Sequence, residues 1–178
     1  MATSIATRTG DDGSTGLLYG QRVSKDHPQV RAVGALDELN AALGMAKANA
    51  AATISRAAID AVQRDLVNIM GEVACAQADV ERYLASKFVK LSEADLARID
   101  AAVSALEAEN LKFDGWATPG ANVPAASFDV ARTVARRAER ELVALLPTGR
   151  VLRPVVGQYI NRLADLLWLM ARQAEKLP

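Results

Sequence analysis

The stretch Leu152 to Lys176, LRPVVGQYINRLADLLWLMARQAEK, decides the fold class. Val155, Val156, Tyr159, Leu163, Leu166, Leu167 and Met170 return at helical steps, so one side of the segment is a continuous apolar stripe. Pro147-Thr-Gly149 punctuates the chain just before it. Working back, about Ala125 to Leu146 reads as a fourth helix and Ser92-Glu-Ala-Asp95 opens a third, continuing through Leu96, Ile99, Val103 and Leu106. Ile54 to about Ala78 carries Ile59, Val62, Leu66, Ile69, Met70 and Val73 at the same step. After His27-Pro28, Val30, Val33, Leu36, Leu39, Ala42 and Leu43 predict a first helix to about Ala50. No segment alternates convincingly as a strand, and the fold class expected is all-α, a bundle of about five helices.

The chain has 178 residues, 51% of them apolar and 24% charged, which suits one globular domain with a substantial core. Twenty-one basic residues balance twenty-one acidic ones and aromatics are 4%, so neither nucleic acid nor an anionic membrane is an expected partner. No stretch has the length of a membrane span. The single Cys75 forms no internal disulfide and the N-terminus has no apolar leader pattern, which predicts a cytoplasmic setting. Residues 1–27 read as a polar, glycine-rich segment and 28–178 as one helical domain.

Two segments look built for a polyanion. Thr7 to Gly20, TRTGDDGSTGLLYG, carries glycines at 10, 13, 16 and 20, with Lys25 beyond, so backbone N–H groups can approach phosphate oxygens. Arg132 to Arg140, RTVARRAER, places Arg132, Arg136 and Arg140 at i, i+4 and i+8 on one helix face, with Arg137 about 100° away. Glu139 and Glu141 alternate with these arginines, and taken alone the helix fits a solvated charged face better than a site. Asp37, Asn40 and Gly44 share a low-profile face of the first helix, which suits either a bulky ligand or tight helix packing. The glycine loop is neither a Walker A nor a Rossmann fingerprint, since no Gly-Lys-Ser/Thr ends it and no strand precedes it. Lacking an apolar stripe, it is expected to be mobile without ligand. The connection over residues 110–124, with Asn110, Gly115, Pro119, Gly120 and Pro124, is long enough to be functional. His27 reads as a loop residue, Cys75 as helix packing and Trp168 as core.

Together, TRTGDDGSTGLLYG with Arg22-Val23 and Lys25, GALDELNAALG at 34–44, VARTVARRAERELV at 130–143 and YINRLADLLWLMAR at 159–172 resemble the PduO-type ATP:cob(I)alamin adenosyltransferases, in order along nearly the whole chain. The resemblance implies a ferritin-like up-and-down five-helix bundle, a homotrimer with sites at subunit interfaces, and transfer of the 5′-deoxyadenosyl group of ATP to the cobalt of cob(I)alamin with release of triphosphate. The nucleophile is then the cobalamin itself, so no Ser-His-Asp set and no protein metal-ligand cluster is expected. It implies Mg2+ beside ATP, and as further partners a cob(II)alamin-reducing flavoprotein and an adenosylcobalamin-dependent client enzyme.

By the same resemblance, Thr7, Arg8, Thr9, Gly10, Asp11, Gly13, Thr15, Gly16 and Lys25 form a nucleotide loop. Arg136, Arg137, Ala138, Glu139 and Arg140 form a second nucleotide segment, and Asn161 a third. Arg136 takes leaving-group charge and Glu139 orients the nucleotide or an arginine. Asp37 and Arg132 match a salt bridge between neighbouring subunits near the corrin. Where the family reads Phe-Ile-Leu-Pro-Gly-Gly, this chain reads Trp116-Ala-Thr-Pro-Gly-Ala121, making Trp116, or Phe113 close by, the aromatic wedge under the corrin. A non-catalytic carrier delivering adenosylcobalamin to a client enzyme is the alternative reading, and a purely structural bundle module is a third.

Overall fold

The computed structural model describes residues 6, 8–50, 54–111 and 115–176. These are mostly helical: β1 (Ser14–Gly16) and β2 (Arg22–Ser24) precede α1 (Pro28–Asn49), α2 (Arg56–Val73), α3 (Val80–Leu84), α4 (Glu93–Ala108), α5 (Val123–Val143) and α6 (Pro154–Glu175). Short 3-10 turns at Gln77–Asp79 and Leu146–Thr148 lead into α3 and out of α5. No helix is long and apolar enough to cross a membrane among the described residues.

Local chemistry sets most helix starts. Nδ1 of His27 accepts from the Gln29 N–H at 3.2 Å ahead of Pro28, so this residue is an N-cap. Ser92 and Asp95 form a complete capping box, with Asp95 in the place of the usual Glu. Asn122 Oδ1 accepts from the Ala125 N–H at 2.8 Å, while its Nδ2 donates to the Ala174 carbonyl at 2.8 Å, tying the start of α5 to the end of α6. Pro124 therefore stands inside the first turn of α5, not in the preceding loop.

Two expectations are corrected. The N-terminal segment contains an antiparallel pair of three-residue strands, with Thr15 opposite Val23. The second helix ends at Val73, short of Ala78, because distant side chains take its terminal carbonyls: Gln29 Nε2 donates to Val73 and Cys75 oxygens at 2.9 and 3.0 Å. Arg150, itself buried, donates to the oxygens of Glu72 and Cys75 at 2.6 and 2.9 Å. These bonds satisfy groups that a longer helix would have used internally.

α5 packs on α6 and α1, α4 on α6, and α2 on α1. Leu36, Leu39 and Leu43 of α1, Leu66 and Ile69 of α2, Phe128 of α5 and Tyr159, Ile160 and Leu163 of α6 meet in one core. Each such side chain contributes about 1.5–3 kcal/mol on burial. Within it, the Tyr159 hydroxyl donates to Asp65 Oδ2 at 2.6 Å and Arg98 pairs with the same oxygen at 2.5 Å. Burial, reinforced by the Asp65 carboxylate, pushes the Tyr159 hydroxyl far up and keeps it a donor.

Candidate functional site

The glycine loop is built around one ammonium and one carboxylate. Glycine leaves close room at position 10, where a Cβ would stand 3.1 Å from Cε and Nζ of Lys25 and from the Ser14 carbonyl oxygen. The Lys25 ammonium thus lies directly on the loop, and its backbone N–H donates to the Gly13 oxygen at 2.9 Å. Asp12 Oδ1 accepts from the Ser14 N–H at 2.9 Å and hydroxyl at 2.7 Å. Those bonds, the hydroxyl's first, hold the Asp12 carboxyl below its ordinary value. Arg22 donates to the Thr9 oxygen at 2.7 Å and to the Ser14 hydroxyl, crossing the loop from β2. Arg8 (φ 59°) and Gly13 (φ 82°) take left-handed backbone, turning the chain at each end of this knot. Asp11 and Gly16 are exposed; Thr15 is half-buried in β1. Thr7 lies outside the described residues.

The loop is also anchored. Leu17 is buried, the Leu18 N–H donates to the Ala74 oxygen at 3.0 Å, and the Arg82 guanidinium sits 4.0 Å above the Tyr19 ring. Sequence patterning missed this docking because one leucine and one backbone bond make no stripe.

On α5 and α6 the two segments expected to complete a nucleotide site meet. Asn161 Nδ2 donates to Glu139 Oε1 at 3.0 Å. Glu139 also borders a cavity of about 320 Å3 walled by Leu142, Val143, Leu146 and Leu152, with Gly157 leaving its α6 side open. Arg136 is exposed and its backbone oxygen accepts from Arg140 Nη1 at 3.0 Å. Arg137 pairs with Glu38 of α1, and Arg31 of α1 with Glu141 at 3.0 Å, so these two pairs bolt α1 to α5. Ala138 is fully buried and seats the helix in the core.

A second centre lies at the other half of α5. Trp116, Arg132 and Trp168 line a cavity of about 320 Å3 with Gly115, Ala117 and Pro119. Trp116 is 90% exposed and forms its rim. Trp168, expected to be core, packs against the core with one side and walls this cavity with the other. Its signal in the sequence was its place on the α6 stripe four residues before Arg172, whose guanidinium lies 5.6 Å from the indole. Phe113 lies outside the described residues. Arg132 Nε donates to Asp129 Oδ1 at 3.3 Å within the chain, and Asp37 is exposed on α1.

No hydrogen bond or ion pair among the described residues joins the glycine loop to α5. The two segments expected to bind a polyanion are held by different partners: the loop by the C-terminal end of α2 and Arg82, the arginine segment by α1 and α6. No group of three His, Cys, Asp or Glu side chains is arranged to hold a metal ion among the described residues. Cys75 is buried, and burial pushes its thiol up.

The sequence pattern of the family described as Cobalamin adenosyltransferase matches residues 5–174. Corrinoid adenosyltransferase PduO of Salmonella typhimurium is 42% identical over 95% of this chain and 49% of its own. This chain spans about half the length of that relative and of its Citrobacter freundii namesake. A shorter Corrinoid adenosyltransferase of Citrobacter freundii is 36% identical over 98% of this chain and 96% of its own. Among solved structures, a variant PduO-type ATP:corrinoid adenosyltransferase from Lactobacillus reuteri complexed with cobalamin and ATP superimposes with a TM-score of 0.87 at 29% identity, covering 97% of this chain and 91% of that one.

Proposed function

The chain belongs to the cobalamin adenosyltransferase family, and from that membership we propose that it transfers the 5′-deoxyadenosyl group of ATP to the cobalt of cob(I)alamin, giving adenosylcobalamin and triphosphate. The observation that carries the reading is the layout of α5. Arg132 walls the tryptophan cavity, Arg136 stands one turn further on, and Glu139 with Asn161 follows within two turns. One helical turn is about 5.4 Å, so Arg132 and Glu139 stand about 10 Å apart along α5, and one rigid element can hold a corrin at the cavity and a nucleotide at Glu139 side by side.

In the proposed step the electron pair of cob(I)alamin forms the cobalt–carbon bond at C5′ as the C5′–oxygen bond breaks, its pair leaving on triphosphate. Arg136, exposed and without an ion-pair partner among the described residues, stabilises that departing charge. Lys25 and the loop amides hold the phosphates. Magnesium accompanying ATP takes its ligands mainly from phosphate oxygens and water, since the described residues offer no ready cage. Trp116 and Trp168 offer aromatic faces to the corrin, and Asp37 of one subunit pairs with Arg132 of the next.

The separation of the glycine loop from α5 among the described residues of one chain supports a homotrimer of this bundle, its five long helices being α1, α2, α4, α5 and α6, in which the glycine loop closes on α5 of a neighbour. The lone buried Cys75 suits a reducing cytoplasm. A flavoprotein reductase and an adenosylcobalamin-dependent client are the partners this chemistry calls for.

The test is an anaerobic assay with magnesium-ATP and chemically reduced cobalamin. Adenosylcobalamin and triphosphate in equal amounts, with three chains per particle by light scattering, are expected. Tight binding of both ligands without product would make the chain a carrier.

A further inference from the structure

Behind the tryptophan cavity lies a charge cluster that the reaction as described does not use. The Asp129 side chain is 4% exposed, and each of its oxygens takes a different arginine: Oδ1 accepts from Arg132 Nε at 3.3 Å and Oδ2 from Arg172 Nη2 at 2.5 Å. The Arg172 side chain is 2% exposed, also pairs with Glu175 at 3.0 Å, and lies under the Trp168 ring. Its Nε and Nη1 are buried without a hydrogen-bond partner among the described residues. A buried ion pair of this kind adds little net stability compared with apolar residues of the same size. Its geometry is more telling, because one carboxylate ties a polar wall residue on α5 to the support of an aromatic wall residue on α6.

We propose that Asp129 is a positioning residue for the corrinoid cavity, fixing the guanidinium of Arg132 at its edge and, through Arg172, the plane of Trp168. This rests on the corrinoid reading of the cavity. Because Arg132 keeps this bond inside one chain, it is already oriented before a neighbouring subunit presents a second carboxylate. Asp129 touches no reactant; it acts on the cavity wall and not on the nucleotide half of α5, where Glu139 and Asn161 make their own pair.

Asp129→Asn leaves Arg172 buried without its counter-charge and is liable to unfold the protein. The informative variant is Asp129→Leu/Arg172→Met, which removes both charges together. It is expected to fold, to retain the wild-type KM for ATP, and to lose on the order of 10²-fold in kcat with a raised KM for cob(I)alamin. Asp129→Glu, which keeps the charge, is expected to recover part of that loss. In an Arg132→Gln background, adding Asp129→Leu/Arg172→Met is expected to cost clearly less than it does in the wild-type background, because one of the two wall residues it acts on is already gone while Trp168 remains.

A folded double variant with unchanged corrinoid KM and kcat would overturn the proposal. So would full additivity with Arg132→Gln, and so would a double variant that fails to fold while Asp129→Asn folds with wild-type corrinoid kinetics. A wild-type protein that neither binds nor adenosylates corrinoid would instead overturn the functional reading, leaving the two failures distinct.

Discussion

Asn161 of α6 donates its amide N–H to the carboxylate of Glu139 on α5 at 3.0 Å, joining residues 22 positions apart at the entrance of the cavity next to Gly157. The bond occupies one acceptor site of the Glu139 carboxylate, which lines that cavity. Replacing Glu139 by Ala is expected to raise KM for ATP roughly tenfold, the worth of a hydrogen bond to a charged group. Since the pair is exposed, the melting temperature should move by no more than about 2 °C. Isothermal titration with a non-hydrolysable ATP analogue checks it, and an unchanged affinity would remove Glu139 from the nucleotide site.

Arg136 and Arg137 are neighbours with opposite expectations. Arg136→Ala removes an exposed guanidinium that no ion pair engages among the described residues, so stability should hold while kcat falls on the order of 10²-fold. Arg137→Ala breaks the pair with Glu38 and should cost no more than about 1 kcal/mol of stability. Steady-state kinetics and thermal melts of both variants separate the two roles; equal losses of activity would assign both to the nucleotide.

The glycine loop should lose its internal tie in acid. The folded-state pKa of Asp12 is depressed, so what its bonds to Ser14 contribute is fully present above the ordinary Asp value of about 3.9 and is lost as the pH falls through the lower folded value. Ser14→Ala should move the Asp12 titration upward, toward the ordinary value, when followed by carboxyl NMR. A titration that stays put would mean that the hydroxyl bond is not its main cause.

Both tryptophans of the chain, Trp116 and Trp168, line the same cavity. Cobalamin, which absorbs where indole emits, is therefore expected to quench most of the intrinsic fluorescence, and ATP alone very little. Trp116→Phe and Trp168→Phe report each ring separately. Quenching that survives only in one variant would place the corrin against one face of the cavity.

Tyr159→Phe removes the hydroxyl that donates to Asp65 and leaves Arg98 as its partner. A loss of about 1–3 kcal/mol is expected in urea unfolding, with catalysis unaffected. A neutral substitution would show that Arg98 alone satisfies the buried carboxylate.

The five long segments near 28–50, 54–78, 92–106, 125–146 and 152–176 were legible as helices, the second with its end overrun, because their signals act within a turn: apolar recurrence, Pro28, the Ser92–Asp95 box. The arginine ladder was legible as a face, but its alternatives were not resolvable, since a charged helix looks alike whether it meets solvent, a neighbouring helix or a ligand. Packing distinguished Arg137, bound to Glu38, from Arg136, left exposed.

By itself, the sequence determined a helical chain with a glycine-rich N-terminal loop and an arginine ladder on one helix face, because periodicity, capping and glycine content are properties of neighbouring residues. Only the tertiary structure decided where α2 stops, that Trp168 shares a cavity with Trp116, that Asp129 holds two arginines from different helices, and that the glycine loop is tied to the end of α2. The physical reason is range. Arg150 takes the carbonyl of Cys75 from 75 positions away, and Arg172 reaches Asp129 from 43, separations at which no local pattern names the partner.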